Sequence, residues 1–138
     1  NILLPNQMDD DGSFPLELKR TKPYGYSLFN IDAFFNVAQI LSTTEDNLFE
    51  YKTKDGKSLK KGLEYIYPYV EDKTIWPFAK DVYIWNEWPV CHPSLLFGAA
   101  AYNNSNYLKA YLELPAYPIH SEVVRNLPVR HPIIWLLD

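Results

Sequence analysis

The sequence predicts an all-α protein built of antiparallel helical hairpins. Apolar residues return at helical spacing in four separate stretches. The run Gly98-Ala99-Ala100-Ala101 supplies small residues that let helices approach closely. Strand signals are confined to residues 47–51 and the apolar tail.

Taken in order, residues 1–14 are mixed, and Asp9-Asp10-Asp11-Gly12-Ser13 reads as an exposed loop. Pro15-Leu16-Glu17-Leu18-Lys19-Arg20 predicts a short helix with proline at its first position. The strongest helix covers residues 24–41. Asp32, Asn36 and Gln39 fall on a polar face of it, with Phe34, Val37 and Leu41 opposite. Tyr26 and Asn30 share that apolar stripe, four residues apart and therefore neighbours. Two polar groups at the mouth of an apolar stripe suggest a cleft; a pair of satisfied polar residues in a packing seam fits the pattern equally well.

Asp55-Gly56 reads as a turn, and a second helix follows from Ser58, with Leu59, Leu63, Ile66 and Val70 on its apolar side. Lys57, Lys60, Lys61 and Glu64 take the wet side as a solvated face, and Pro68 is expected to kink or end the helix. Residues 72–93, with Trp76, Trp85 and Trp88, are too irregular to assign. Residues 93–102 predict a third helix and residues 105–114 a fourth, whose Tyr107, Leu108, Tyr111 and Leu112 form a broad apolar face. A short turn at residues 121–126 precedes the tail. Asn103-Asn104-Ser105 matches a glycosylation sequon, a pattern too short to carry weight.

At 138 residues the chain is long enough for one domain with a core. Its 47% hydrophobic and 22% charged residues are those of a water-soluble globular protein. The 11 Tyr, 7 Phe and 4 Trp are many for four helices, as in a piece of a larger helical array. Most of those rings belong in a core, although Tyr and Trp also serve as platforms for sugars. A net charge of −4 argues against nucleic acid as the main partner and leaves room for an acidic substrate at a local basic cluster.

No apolar run approaches the roughly 20 residues of a membrane span, and no signal peptide is visible. The single cysteine, Cys91, excludes an internal disulfide framework. His92, His120 and His131 are too scattered for a metal motif, and neither a phosphate loop nor a Gly-x-Ser-x-Gly elbow occurs. No metal or cofactor is expected. The chain starts at Asn1 and ends on the apolar run 133–137, as expected of a piece cut from something longer.

What stands out is Glu17-Leu18-Lys19-Arg20-Thr21-Lys22-Pro23-Tyr24-Gly25-Tyr26-Ser27-Leu28-Phe29-Asn30, three cations and two tyrosines just ahead of the main helix. By sequence physics alone the cations read equally well as an exposed loop. This segment resembles the catalytic stretch of the alginate lyase family, whose fold is an α/α toroid. There a Glu-Leu-x-Arg run precedes a catalytic Tyr by six or seven residues, and here Tyr26 lies six beyond Arg20. The similarity continues through Leu28-Phe29-Asn30, Ala33-Phe34-Phe35, Tyr51, Asp55-Gly56-Lys57-Ser58-Leu59 and Pro68-Tyr69 to Trp76-Pro77.

The resemblance implies that residues 1–138 are the carboxy-terminal part of a single, here incomplete, toroid domain that packs with an amino-terminal portion. It implies a lyase that cleaves alginate or a related polyuronate by β-elimination, giving 4,5-unsaturated uronate ends, in the bacterial periplasm or outside the cell. Such a reaction needs a cation to stabilise charge on the uronate carboxylate, a base for the C5 proton and an acid for O4. Arg20 is then the carboxylate neutraliser and Tyr26 the catalytic acid, with the role of base also open to it. Lys19, Lys22, Tyr24, Asn30 and Trp76 are candidate substrate contacts; Trp85 and Trp88 are further stacking candidates, though a core role suits each tryptophan better. The family's Asn-His pair has no match here, which places it upstream of Asn1 and leaves this chain without turnover of its own. The alternative is a non-catalytic helical domain that binds acidic carbohydrate.

Overall fold

The computed structural model describes residues 3–127 and 129–136. Its helices are α1 (Leu3–Gln7), α2 (Pro15–Leu18), α3 (Pro23–Leu41), α4 (Leu59–Glu71), α5 (Pro93–Tyr102), α6 (Ser105–Glu113) and α7 (Ser121–Arg125), with three short 3-10 turns. The all-α expectation holds: the only β feature among the described residues is an isolated bridge between Lys52 and Ser58. Residues 47–51 form turns rather than a strand, and the tail contributes a 3-10 turn at Pro132–Trp135.

Local chemistry accounts for most boundaries. Ser58 caps α4, its Oγ accepting the Lys61 N–H at 3.2 Å. Pro68 lies inside α4 without ending it, and the helix runs on to Glu71; a proline this near the carboxy-terminal end forfeits one backbone bond while the last turn persists. The α5–α6 hairpin turns on two asparagines. Asn103 takes the left-handed conformation (φ 49°) that ends α5, and the Asn104 side chain accepts the Asn106 and Tyr107 N–H groups that begin α6.

The core lies where α3, α4 and α5 meet, and α6 packs on α5. Tyr24, Leu28, Ile31, Phe35 and Ala38 form the buried stripe of α3, facing Leu63 and Ile66 of α4 and Leu95 and Phe97 of α5. A methyl group on Gly98 would come within 2.4 Å of Leu63, so the small-residue run does permit close approach.

The expected faces of α3 are reversed. Asp32 and Asn36, read as the wet face, are buried, whereas Val37 and Leu41 are half exposed or more. The reason is that α3 is apolar nearly all round, so its pattern barely distinguishes the two sides. Which side is covered depends on α4 and α5, and Asp32 is made tolerable there by partners on α5. Leu3, Leu4, Phe34, Val37, Ala38, Leu48, Tyr51 and Leu59 line an open apolar groove of about 520 Å³ on the other side.

Candidate active site

The site is organised by the first turn of α3. Pro23 at its first position sets φ for a helix start and has no N–H to satisfy. Lys22, in the capping position, provides no side-chain cap. A residue 57 positions away does so: the buried carboxylate of Asp81 accepts the Tyr24 and Gly25 N–H groups, each at 2.9 Å. Negative charge at that terminus also complements the helix dipole. Burial holds the Asp81 carboxyl above the usual carboxylate range, with the two N–H donors and the nearby Lys22 and Lys73 pulling the other way.

This cap leaves no room at Gly25. A Cβ there would sit 2.8 Å from Asp81 Oδ2 and 2.9 Å from Trp88 Nε1. Gly25→Ala is therefore expected to destabilise the fold by about 1–3 kcal/mol. Thermal unfolding checks this, and an unchanged midpoint contradicts the account.

Tyr26 follows immediately, its N–H donating to the Lys22 carbonyl at 2.9 Å as the helix begins. The Arg20 guanidinium lies 3.6 Å from the Tyr26 ring centroid, and Lys22 Nζ lies at 5.0 Å. Such cation–π contacts fix geometry while contributing only about 0.5–1 kcal/mol at exposed sites. Arg20 also donates from Nη1 to Glu17 Oε2 at 3.0 Å, and its side chain remains 52% exposed. A guanidinium carries five N–H donors, so one bond to Glu17 leaves others for an anion. Lys22 is held differently: its largely covered ammonium pairs with Glu122 of α7.

The structure thus brings Arg20, Lys22 and Tyr26 together. Lys19 ends α2 and is exposed, and Asn30 lies half-buried one helical turn beyond Tyr26. Two expected substrate contacts are instead core residues. Tyr24 is fully buried, its hydroxyl donating to the Tyr69 carbonyl at 2.9 Å, and burial raises its pKa well above the ordinary phenol range. Trp76 is buried against Tyr24 and Tyr69, with Nε1 donating to the Ala79 carbonyl at 3.1 Å. Tyr24 points inward from the turn that Asp81 pins down, and Trp76 packs edge-on against it from the segment after α4. Trp88 is likewise buried, against His92, and Trp85 is partly covered, with Lys73 Nζ 4.3 Å from its ring.

Sequence reasoning missed Asp81, which lies in the unassigned stretch. A signal was present: a helix opening Lys22-Pro23, without Ser, Thr, Asp or Asn at the cap, needs a carboxylate or carbonyl from elsewhere. Among the described residues no three His, Cys, Asp or Glu side chains converge as metal ligands, and no helix is long and apolar enough to cross a membrane.

Comparison with known proteins places this geometry in context. A family model described as alginate lyase matches residues 2–76, the stretch holding α1 to α4 and the Arg20–Tyr26 pair. The crystal structure of an alginate lyase from Bacteroides ovatus shares the fold, with a TM-score of 0.67 and 23% sequence identity. The match covers 90% of this chain and 33% of that one, so this chain spans about a third of its neighbour's length. No curated protein matches the chain.

Proposed function

The chain belongs to the alginate lyase family, and on that footing we propose that it is the carboxy-terminal part of a polysaccharide lyase acting on alginate or a related polyuronate. The observation carrying this is the Arg20 guanidinium lying 3.6 Å from the Tyr26 ring at the exposed mouth of α3. Arg20 pairs with the uronate carboxylate and stabilises the charge that builds on it as C5 loses its proton. The electrons of the C5–H bond form the C4=C5 double bond, the C4–O4 bond breaks, and Tyr26 delivers a proton to the departing O4. Lys19 and Asn30 flank this centre and hold neighbouring units, while Lys22, paired with Glu122, stays beside the Tyr26 ring and positions it. Tyr24 and Trp76 support it from the core and do not touch substrate.

The base and second neutraliser belong to helices beyond this chain. The apolar groove along Phe34, Val37 and Leu59 supports that reading, because an exposed apolar patch of this kind marks a surface that packs. We assign the groove to the remainder of the toroid, in keeping with this chain's spanning about a third of its neighbour's length, and the reaction to the periplasm or the cell exterior.

The test is ultraviolet absorbance of the new unsaturated uronate. The longest natural form of the protein is incubated with poly-mannuronate, poly-guluronate and polyglucuronate. Absorbance growing on one polymer is the expected result and names the substrate class. A flat trace on all three, with retained binding, replaces this reading with that of a non-catalytic carbohydrate-binding domain.

A further inference from the structure

Residues 81–87 and His120 line a shallow, open cleft of about 390 Å³ that the reaction above does not use. Its volume falls within the range of small-ligand sites. Tyr83 stands on the rim, 53% exposed. Its ring meets His120 edge-on, with centroids 5.3 Å apart, and its hydroxyl lies 3.0 Å from His120 Nε2.

The hydrogen bonds fix which group gives and which receives. His120 Nδ1 accepts the Glu122 N–H at 3.2 Å, so that nitrogen presents a lone pair and the ring proton sits on Nε2. Nε2–H then donates to the Tyr83 oxygen. The Tyr83 hydroxyl proton is left free to donate outward, from a ring held in place on one side. Ile84, next along the chain, has φ 58°, a left-handed conformation that a β-branched residue keeps only when its surroundings impose it.

The cleft is tied to the Arg20–Tyr26 centre at three points. Asp81 caps α3. The Val82 N–H donates to the Thr21 carbonyl at 3.1 Å. Glu122, two residues after His120, pairs with Lys22.

We propose that the Tyr83–His120 pair forms a further sugar subsite, binding a unit of the polyuronate adjacent to the one held at Arg20 and Tyr26. The half-exposed Tyr83 ring presents a flat apolar surface for the C–H face of a sugar, and its hydroxyl donates to a sugar oxygen. Asp81 and Glu87 line the cleft, so the unit turns its hydroxyls to that side and its carboxylate away. Glu122 is no obstacle, being paired with Lys22 and lying 3.7 Å from Arg125.

This rests on the polyuronate reading, and the test separates the two. Calorimetric titrations use the longest natural form carrying Tyr26→Phe, so that substrate is bound and not consumed. The probes are a hexasaccharide and a disaccharide of the polymer that the unsubstituted protein cleaves or, if none is cleaved, binds. Adding Tyr83→Ala is expected to weaken hexasaccharide binding by about tenfold, the loss of a stacked ring and a hydrogen bond, and disaccharide binding by less than about twofold. Tyr83→Phe keeps the ring packing, and a smaller loss confined to the hexasaccharide supports the subsite without risk of misfolding. Unchanged hexasaccharide affinity in both variants overturns the proposal, as does an equal fall for both ligands. The lyase reading fails on a separate observation, a protein that binds the hexasaccharide and leaves every polymer intact.

Discussion

Tyr26→Phe in the longest natural form is expected to lower kcat by about 10²- to 10⁴-fold, the usual contribution of a positioned acid or base, with KM changed by less than about threefold. The substitution is clean because of how Tyr26 is held. The Arg20 guanidinium sits over the ring face, not against the hydroxyl, and phenylalanine offers a face of the same shape. The ring's place on α3 comes from the Asp81 cap and the Lys22 carbonyl, neither of which touches the phenol. Folding and sugar binding should therefore survive while the proton for O4 is lost. Initial rates from unsaturated-uronate absorbance, with calorimetric binding alongside, check both halves. A variant retaining more than about a tenth of the wild-type rate removes Tyr26 from the chemistry. A variant that loses binding as well makes it a substrate contact instead.

Legibility in the sequence was divided along a physical line. The α5–α6 hairpin was readable because its turn is determined locally, by Asn103 and Asn104. The Arg20–Tyr26 pair was legible only through its resemblance to the family motif, since sequence physics alone left the cations equally readable as an exposed loop; the short connection between α2 and α3 is what brings the guanidinium to 3.6 Å from the ring. Burial on α3 was not readable. Asp32 has the character of a surface residue, and its place in the core depends on His92 and Ser94, 60 and 62 residues away. Asp81 was hidden for the same reason, since nothing near it in sequence indicates that it ends a distant helix. These two carboxylates follow one rule. Helices α3 and α5 both open with a proline and lack a side-chain cap of their own, and each takes an aspartate from another part of the chain: Asp81 for α3, Asp32 for α5. For a long, buried helix an uncapped X-Pro start thus points to a remote acceptor, whereas the four-residue α2 opens the same way and its Glu17 and Leu18 N–H groups donate to the Phe14 carbonyl.

Asp32→Ala is the substitution expected to cost most stability, about 3 kcal/mol or more, at roughly 1–3 kcal/mol for each buried donor left without its acceptor. Asp32 is fully buried, and its two oxygens do three things. Oδ1 accepts the Ser94 N–H at 3.1 Å and the Ser94 hydroxyl at 2.6 Å, and Oδ2 lies 2.7 Å from His92 Nδ1. His92 Nε2 accepts the Val90 N–H at 3.3 Å, which places the ring proton on Nδ1, facing Asp32. Alanine leaves three donors buried with no acceptor, including a backbone N–H at the start of α5. Against a typical total of about 5–15 kcal/mol, that is a large fraction of the stability. Asp32→Asn should fall between wild type and alanine. Its carbonyl oxygen can serve Ser94, but its amide then meets His92 Nδ1–H donor to donor, and moving that proton to Nε2 would oppose the Val90 N–H. Urea unfolding of the three proteins orders them wild type, asparagine, alanine if the network joins α3 to α5 as described. Asparagine as stable as aspartate would mean that the Ser94 bonds alone hold the junction and that His92 contributes only its packing against Trp88.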